Sequence, residues 1–497
     1  MSRLRYRIGY WVSLLAGILA FLLILVFVSL DPERPETTAT LAVATLMAIW
    51  WITEVIPLAV TSLLPVVLFP ALGIMNGNAV SSTYFNSVIF LFLGGFMVAL
   101  AMQKWNLHRR IALRILLVTG TSQARILMGF MLATAFLSMW ISNTATTMMM
   151  VPILISVISE LESHSQEKQS GGYPTGLLLG VAYSASIGGM MTLVGTPPNL
   201  AFTKIYSIMF PDAAEISFGQ WMIFAMPAGL AFFLFAWGFI FFRFRNRHQG
   251  KQIIEKSELT FQYRALGKPG FEEKVVLVDF IILALLWLTR SDISIGQVTI
   301  PGWSSLFAHP KYLNDGTVAM VMAIILFLVP SKNDPGKPVL DWKTARGLPW
   351  GIVLLFGGGF ALAGGFKESG LSLWMGNQLQ FVVRFHPILV IGVIAIFMTF
   401  LTELTSNTAT TQIILPVLAG LAVASHTNPL LYMLPATLSA SMAFMLPVAT
   451  PPNAIIFGTN RIRISQMVRT GLIMNLAGAV IITTTVYFMA RWIFGVT

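Results

Sequence analysis

The chain has 497 residues, 56% of them apolar and only 10% charged, against about 25% charged in an ordinary soluble domain. That balance excludes a soluble domain and points to a polytopic membrane protein; the absence of cysteine excludes disulfides, haem thiolates and cysteine-ligated metals. The net charge of +11 does not mark a nucleic-acid partner, because the basic residues sit at the ends of apolar runs, as the positive-inside pattern requires.

A hydrocarbon core of about 30 Å needs roughly 20 apolar residues per crossing helix. The first run, 10 to 30, is too long for the apolar core of a cleaved signal and lacks a small-residue cleavage site, so it is read as an anchor. Runs at 40 to 56, 58 to 73 and 87 to 103 follow, with one bent helix over 40 to 73 as the alternative. A long stretch from 115 to 160 leads to crossings near 176 to 208, 219 to 242, 275 to 290, 317 to 330 and 351 to 366. A second long stretch, 372 to 425, precedes the last crossings, 432 to 458 and 467 to 492. Arg3, Arg5 and Arg7, then Lys104, Arg109, Arg110 and Arg114, then Arg243, Arg245, Arg247 and Lys251 are placed on the cytoplasmic side. The organisation expected is an N-terminal half, 1 to 242, a cytoplasmic linker, 243 to 274, and a C-terminal half, 275 to 497. Glu54 reads as a helix end, and Lys367 with Glu368 as an interfacial pair.

The two long stretches carry the same hexapeptide. Ser142-Asn143-Thr144-Ala145-Thr146-Thr147 returns as Ser406-Asn407-Thr408-Ala409-Thr410-Thr411. Phe92-Leu93-Gly94-Gly95-Phe96 precedes the first copy, as Phe356-Gly357-Gly358-Gly359-Phe360 precedes the second, at the same offset of 264 residues (406 minus 142; 356 minus 92). Thr196-Pro197-Pro198-Asn199 recurs as Thr450-Pro451-Pro452-Asn453 at an offset of 254, and the polar loop 160 to 174 is the expected place for the ten extra residues. Three elements repeated in one order indicate duplication, a hallmark of secondary transporters. If each long stretch enters and leaves on one side as a re-entrant hairpin, five crossings separate them and the second copy is inverted. The first hairpin then opens from the cytoplasm and the second from outside, with their tips near the midplane.

Ser and Asn are good caps and poor helix-interior residues, and Pro152 and Pro416 lie ten residues after Ser142 and Ser406. Each copy therefore reads as a helix that breaks at the tripeptide and restarts. Such breaks at membrane depth are tolerated only where the freed backbone is buried in protein or lines a wet cavity. Restarting helices aim N–H groups and partial positive charge at the gap, which suits a carboxylate or other oxyanion. Carbonyl, hydroxyl and amide oxygens suit a hard cation such as Na⁺. Neither hexapeptide nor Thr-Pro-Pro-Asn element contains Lys or Arg, so a bound dianion calls for co-bound cations, which favours symport over an anion pore. The glycine clusters read as close helix packing. Glu403 reads either as a carrier of a coupling proton or as a structural hydrogen-bond acceptor. The six histidines have no metal-ligand spacing, and no nucleotide loop or nucleophile motif is present, which argues against an enzyme.

At these residues the sequence resembles the divalent anion/sodium symporter family, whose signature is the paired Ser-Asn-Thr motif. The resemblance implies an all-α membrane protein of about eleven transmembrane helices plus two re-entrant hairpins in an inverted repeat. It implies a homodimer in the bilayer, with transport domains that slide past scaffolds like elevators. Substrate carboxylates would lie against Ser142, Asn143, Thr144, Ser406, Asn407, Thr408, Thr450 and Pro451. One sodium site would use Ser138, Ser142, Asn143 and the Gly195 carbonyl. The other would use Thr402, Asn407 and the carbonyls of Thr405 and Ala449. The expectation is sodium-coupled symport of a C4 dicarboxylate (succinate, malate or fumarate) in a bacterial inner membrane. A sodium-independent dicarboxylate exchanger, a citrate or sulfate symporter and an anion channel remain alternatives.

Overall fold

The protein was analysed as a computed structural model that describes residues 2–163, 172–245, 257–295 and 298–494. It is an all-α polytopic membrane protein; a ribbon of two three-residue strands, Ile293–Ile295 with Val298–Ile300, is a minor addition. Among the described residues, seven helices are long and apolar enough to cross a bilayer by themselves: Gly9–Phe27, Gly77–Lys104, Asn143–Glu162, Phe218–Phe244, Trp350–Glu368, Asn407–Ala424 and Ile464–Ala490. Several expected crossings are interrupted. The run 176 to 208 divides into helices Tyr173–Met190 and Pro197–Met209, and the run 432 to 458 into Leu430–Ser439 and Pro451–Phe457.

The run 40 to 73 is not one bent helix. Helix Pro35–Thr53 ends at Glu54, whose φ of 47° is the left-handed conformation of a helix terminus. The chain then returns along it through Leu58–Thr61 and Leu64–Ala71, with the Trp51 indole donating to Ser62 Oγ at 3.2 Å. The segment 372 to 425 likewise divides, since Leu371–Gln378 is a separate helix packed against Asn407–Ala424, outside the hairpin that Pro387–Thr402 and Asn407–Ala424 form. Part of the extra length in the first copy is helical, the helix after the break having 21 residues against 18 in the second. Most of the loop 160 to 174 lies outside the described residues, as do Arg247, Lys251 and the centre of the linker.

One end of the helices carries a cluster of paired charges, and Arg290 with Asp315 and Glu215 forms another at the opposite end. Arg110 binds Glu273 through two nitrogens and donates to the carbonyls of Leu266 and Gly267. Lys104 pairs with Asp341 at 2.8 Å, and that ion pair, helped by the Thr344 N–H, holds the Asp341 carboxyl down at about 2. Arg243 and Arg245 reach the same end, where helices Tyr173–Met190 and Ile464–Ile493 begin. The first hairpin opens there too, because the Tyr173 hydroxyl donates to the Gln123 carbonyl at 2.7 Å. At the far part of the 30-residue helix Ile464–Ile493, which is about 45 Å long, Tyr487 lies 6.0 Å from His386 at the mouth of the second hairpin. The two hairpins open at opposite ends of this helix.

Lys367 and Glu368 do not pair with each other among the described residues. Lys367 Nζ donates to the Ile208 carbonyl at 2.6 Å near the end of Pro197–Met209, and the Glu368 carbonyl accepts from Arg34. Both residues lie at the end of helix Trp350–Glu368, and Lys367 is drawn to an unpaired carbonyl at the end of another helix. The glycine clusters are close-packing sites, as expected. A Cβ on Gly94 would lie 2.6 Å from the backbone of Ala319, and one on Gly357 would fall 2.0 Å from the Tyr84 ring.

Candidate substrate and cation site

Both hexapeptides form the same local structure. Helix Gln123–Ser138 stops, and a new helix starts at Asn143; helix Pro387–Thr402 stops, and a new one starts at Asn407. Ser142 Oγ accepts the Ala145 N–H at 3.2 Å, and Ser406 Oγ accepts that of Ala409 at 3.5 Å, which are the capping bonds that Ser and Asn favour. Thr147 and Thr411 each turn a hydroxyl back to the asparagine carbonyl four residues earlier, at 2.8 and 2.7 Å. The tripeptides are half-buried, apart from the buried Thr408.

Each Thr-Pro-Pro-Asn element closes an unwound segment and opens a helix. Thr196 and Thr450 share one backbone conformation, φ −145° with ψ 140° and φ −142° with ψ 150°. Asn199 Nδ2 donates to the carbonyls of Gly189, Met190 and Thr192, and Asn453 Nδ2 to those of Ala443 and Leu446. These asparagines tie off carbonyls freed by the unwinding, as membrane depth demands. Packing then crosses between copies: Pro451–Phe457 lies against Asn143–Ser163, and Pro197–Met209 against Asn407–Ala424. No hydrogen bond joins the two hexapeptides directly among the described residues.

At the first break the structure brings Ser138, Asn143 and Gly195 together. The Asn143 amide faces three acceptors: Ser138 Oγ at 2.5 Å, and the carbonyls of Ala185 at 3.1 Å and Gly195 at 3.2 Å when its nitrogen is turned toward them. With the amide oxygen turned inward instead, four oxygens converge, the all-oxygen donor set a hard cation takes. Only glycine fits here: a Cβ on Gly189 would lie 2.5 Å from Asn143 Oδ1, and one on Gly195 would lie 2.5 Å from the Gly189 carbonyl oxygen. Ser142 reaches the break through its cap rather than this cluster. The Ala185 carbonyl was not foreseen, because a backbone oxygen leaves no trace in residue identity.

The second break is arranged differently. Asn407 Oδ1 is buried with no hydrogen-bond partner. Thr402 Oγ1 bonds back to the Thr399 carbonyl at 3.1 Å, and Thr405 Oγ1 meets Thr410 Oγ1 at 2.5 Å. Ala449 lies in the unwound segment, with Thr450 buried and Pro451 exposed beside it. The Oγ atoms of Ser439 and Ser441, on the run leading into that segment, are also buried without partners. Ser439 stands at the same 254-residue offset from Ala185 that relates Thr450 to Thr196. An amide oxygen buried without a partner at a helix break wants a cation or a bound hydroxyl.

Glu403 resolves into a brace. Its carboxylate accepts the N–H groups of Phe444, Met445 and Leu446 at 2.7 to 3.0 Å, and Asn475 Nδ2 at 2.7 Å. It thereby satisfies one side of the unwound segment and fastens it to helix Ile464–Ile493.

Against this geometry, the model of the sodium:sulfate symporter transmembrane region matches residues 9–496. The chain belongs to that family. It is 43% identical over 501 residues to the sodium-dependent dicarboxylate transporter SdcS of Staphylococcus saprophyticus, covering 99% of this chain and 93% of that one. A Staphylococcus aureus SdcS is 43% identical over 500 residues with the same coverage. Among solved structures, the YdaH transporter of Alcanivorax borkumensis shares the fold at a TM-score of 0.56 and 12% identity, over 82% of this chain and 86% of that one. MtrF of Neisseria gonorrhoeae does so at 0.52 and 12% identity, over 84% of each chain. The chain is thus a multi-pass membrane transporter, not an enzyme.

Proposed function

We propose that the protein couples the entry of Na⁺ to uptake of a C4 dicarboxylate, with succinate, malate and fumarate as the candidate substrates. The observation that carries this reading is the oxygen cluster on Asn143, placed at a helix break that recurs in the second copy around the orphaned Asn407 oxygen. Two negative charges meet no cationic side chain within either motif, so cations held in these clusters would neutralise them. Two relatives called sodium-dependent dicarboxylate transporters, each 43% identical over nearly the whole chain, favour the same cargo.

In this reading Ser142, Asn143, Thr144, Ser406, Asn407, Thr408, Thr450 and Pro451 face the substrate, and the restarting helices supply N–H groups to its carboxylates. Na⁺ lies with Ser138, Ser142, Asn143 and Gly195 at one break, and with Thr402, Thr405, Asn407 and Ala449 at the other. We add the Ala185 carbonyl and Ser439 to these sets. The opposite openings of the hairpins support an inverted repeat. An elevator motion, a homodimer and an inner-membrane location complete the proposal by family resemblance.

Uptake of radiolabelled succinate into proteoliposomes tests it, with an inward Na⁺ gradient or with K⁺ substituted. Concentrative uptake only with Na⁺ is expected. Uptake indifferent to Na⁺ and dependent on internal succinate would make the protein an exchanger, and uptake of citrate or sulfate alone would move the substrate.

A further inference from the structure

A further polar cavity lies where the first hairpin opens. A cavity of about 300 Å³ is lined by Arg243 and Arg245, at the end of helix Phe218–Phe244, and by Arg469, Ser465 and Thr470 on helix Ile464–Ile493. Gly172, which caps helix Tyr173–Met190, closes its wall. Arg243, Arg245 and Arg469 thus line one cavity from two helices, all three exposed, and none has a carboxylate partner among the described residues. Arg243 and Arg245 instead lie over aromatic rings, at 5.4 Å from Phe244 and 5.3 Å from Phe242, which fixes their heads without neutralising them. The positive ends of two helices face the cavity, against the negative end of Phe218–Phe244, so the arginines supply most of its positive charge.

The surroundings decide which anion suits it. Below the cavity the two helices present Leu234, Phe235 and Phe242, and Leu472, Ile473 and Leu476, all exposed. A charged cavity at the end of a membrane span, continuous with an apolar surface, matches an acyl chain beneath a phosphate. Basic pockets between helices at the cytoplasmic interface are the usual seats of anionic head groups.

We propose that this cavity binds the phosphodiester of an anionic phospholipid. The arginines hold the phosphate by charge-assisted, forked hydrogen bonds. The acyl chains lie along the groove between the two helices. Bound lipid thereby ties together the starts of two helices and the end of a third, including the one that leads to the unwound segment before Thr196. The proposal does not depend on which substrate is carried.

The test is native mass spectrometry of the purified full-length protein offered phosphatidylglycerol or phosphatidylcholine. Preferential retention of phosphatidylglycerol by the unaltered protein is expected. Arg243→Gln and Arg469→Gln should each weaken it about fivefold, the factor equivalent to about 1 kcal/mol per basic residue at a membrane surface. Lys343→Gln, an exposed cation outside the cavity, should change nothing. Equal retention of the two lipids, or unaltered phosphatidylglycerol binding in both arginine variants, would overturn the proposal. Displacement of phosphatidylglycerol by equimolar inorganic phosphate would also overturn it, making the cavity a site for free anions.

Discussion

The two helix breaks share six identical residues yet are held in different ways. The first unwound segment, 191 to 196, spans six positions, and Asn199, Thr192 and Trp221 pair the freed groups around it without a carboxylate. The second, 440 to 450, spans eleven, frees more N–H groups, and needs the Glu403 carboxylate to accept three of them. A repeated motif therefore fixes the chemistry of a break, while the length of unwound chain beside it fixes how much support it requires.

The comparison breaks first at the two asparagines. Asn143→Ala and Asn407→Ala should each lower Na⁺-driven succinate uptake on the order of 100-fold, with the protein still in the membrane. If one variant kept full transport, the two breaks would not serve a common site. Next, Glu403→Gln should lower thermal stability by about 2 kcal/mol, because an amide turns a donor toward buried N–H groups. No residue of the first copy should give a matching loss, and melting curves in detergent decide the point. Gly195→Ala sharpens the first break alone: its Cβ would meet the Gly189 carbonyl at 2.5 Å, so uptake should fall about tenfold. The mildest effect concerns the charged end. The Asp341 carboxyl titrates at about 2 in the folded protein, below its ordinary value of 3.8. Its stabilising contribution is therefore complete above pH of about 4 and disappears as pH falls toward 2. Asp341→Asn should flatten that part of the curve of melting temperature against pH.

Much of this was legible in the sequence because the relevant signals are local. Serine followed by Asn-Thr specifies a cap and a restart, and both restarts fall at the tripeptides. The Thr-Pro-Pro-Asn elements were legible as a repeat, and each closes an unwound segment. What escaped depends on distant partners: Glu403 is separated from Phe444 by 41 residues, and the Ala185 carbonyl that faces Asn143 lies on another helix, Tyr173–Met190. Neither side-chain identity nor periodicity records which backbone atom a fold brings to a break.

The central claim is that the oxygen clusters at the breaks hold the cations that drive uptake. The most direct measurement is the Na⁺ dependence of succinate uptake in the unaltered protein and in Ser138→Ala, which removes one oxygen of the first cluster. The account predicts that the Na⁺ concentration for half-maximal uptake rises about tenfold, and that saturating Na⁺ restores the maximal rate. An unchanged Na⁺ dependence in Ser138→Ala would contradict it.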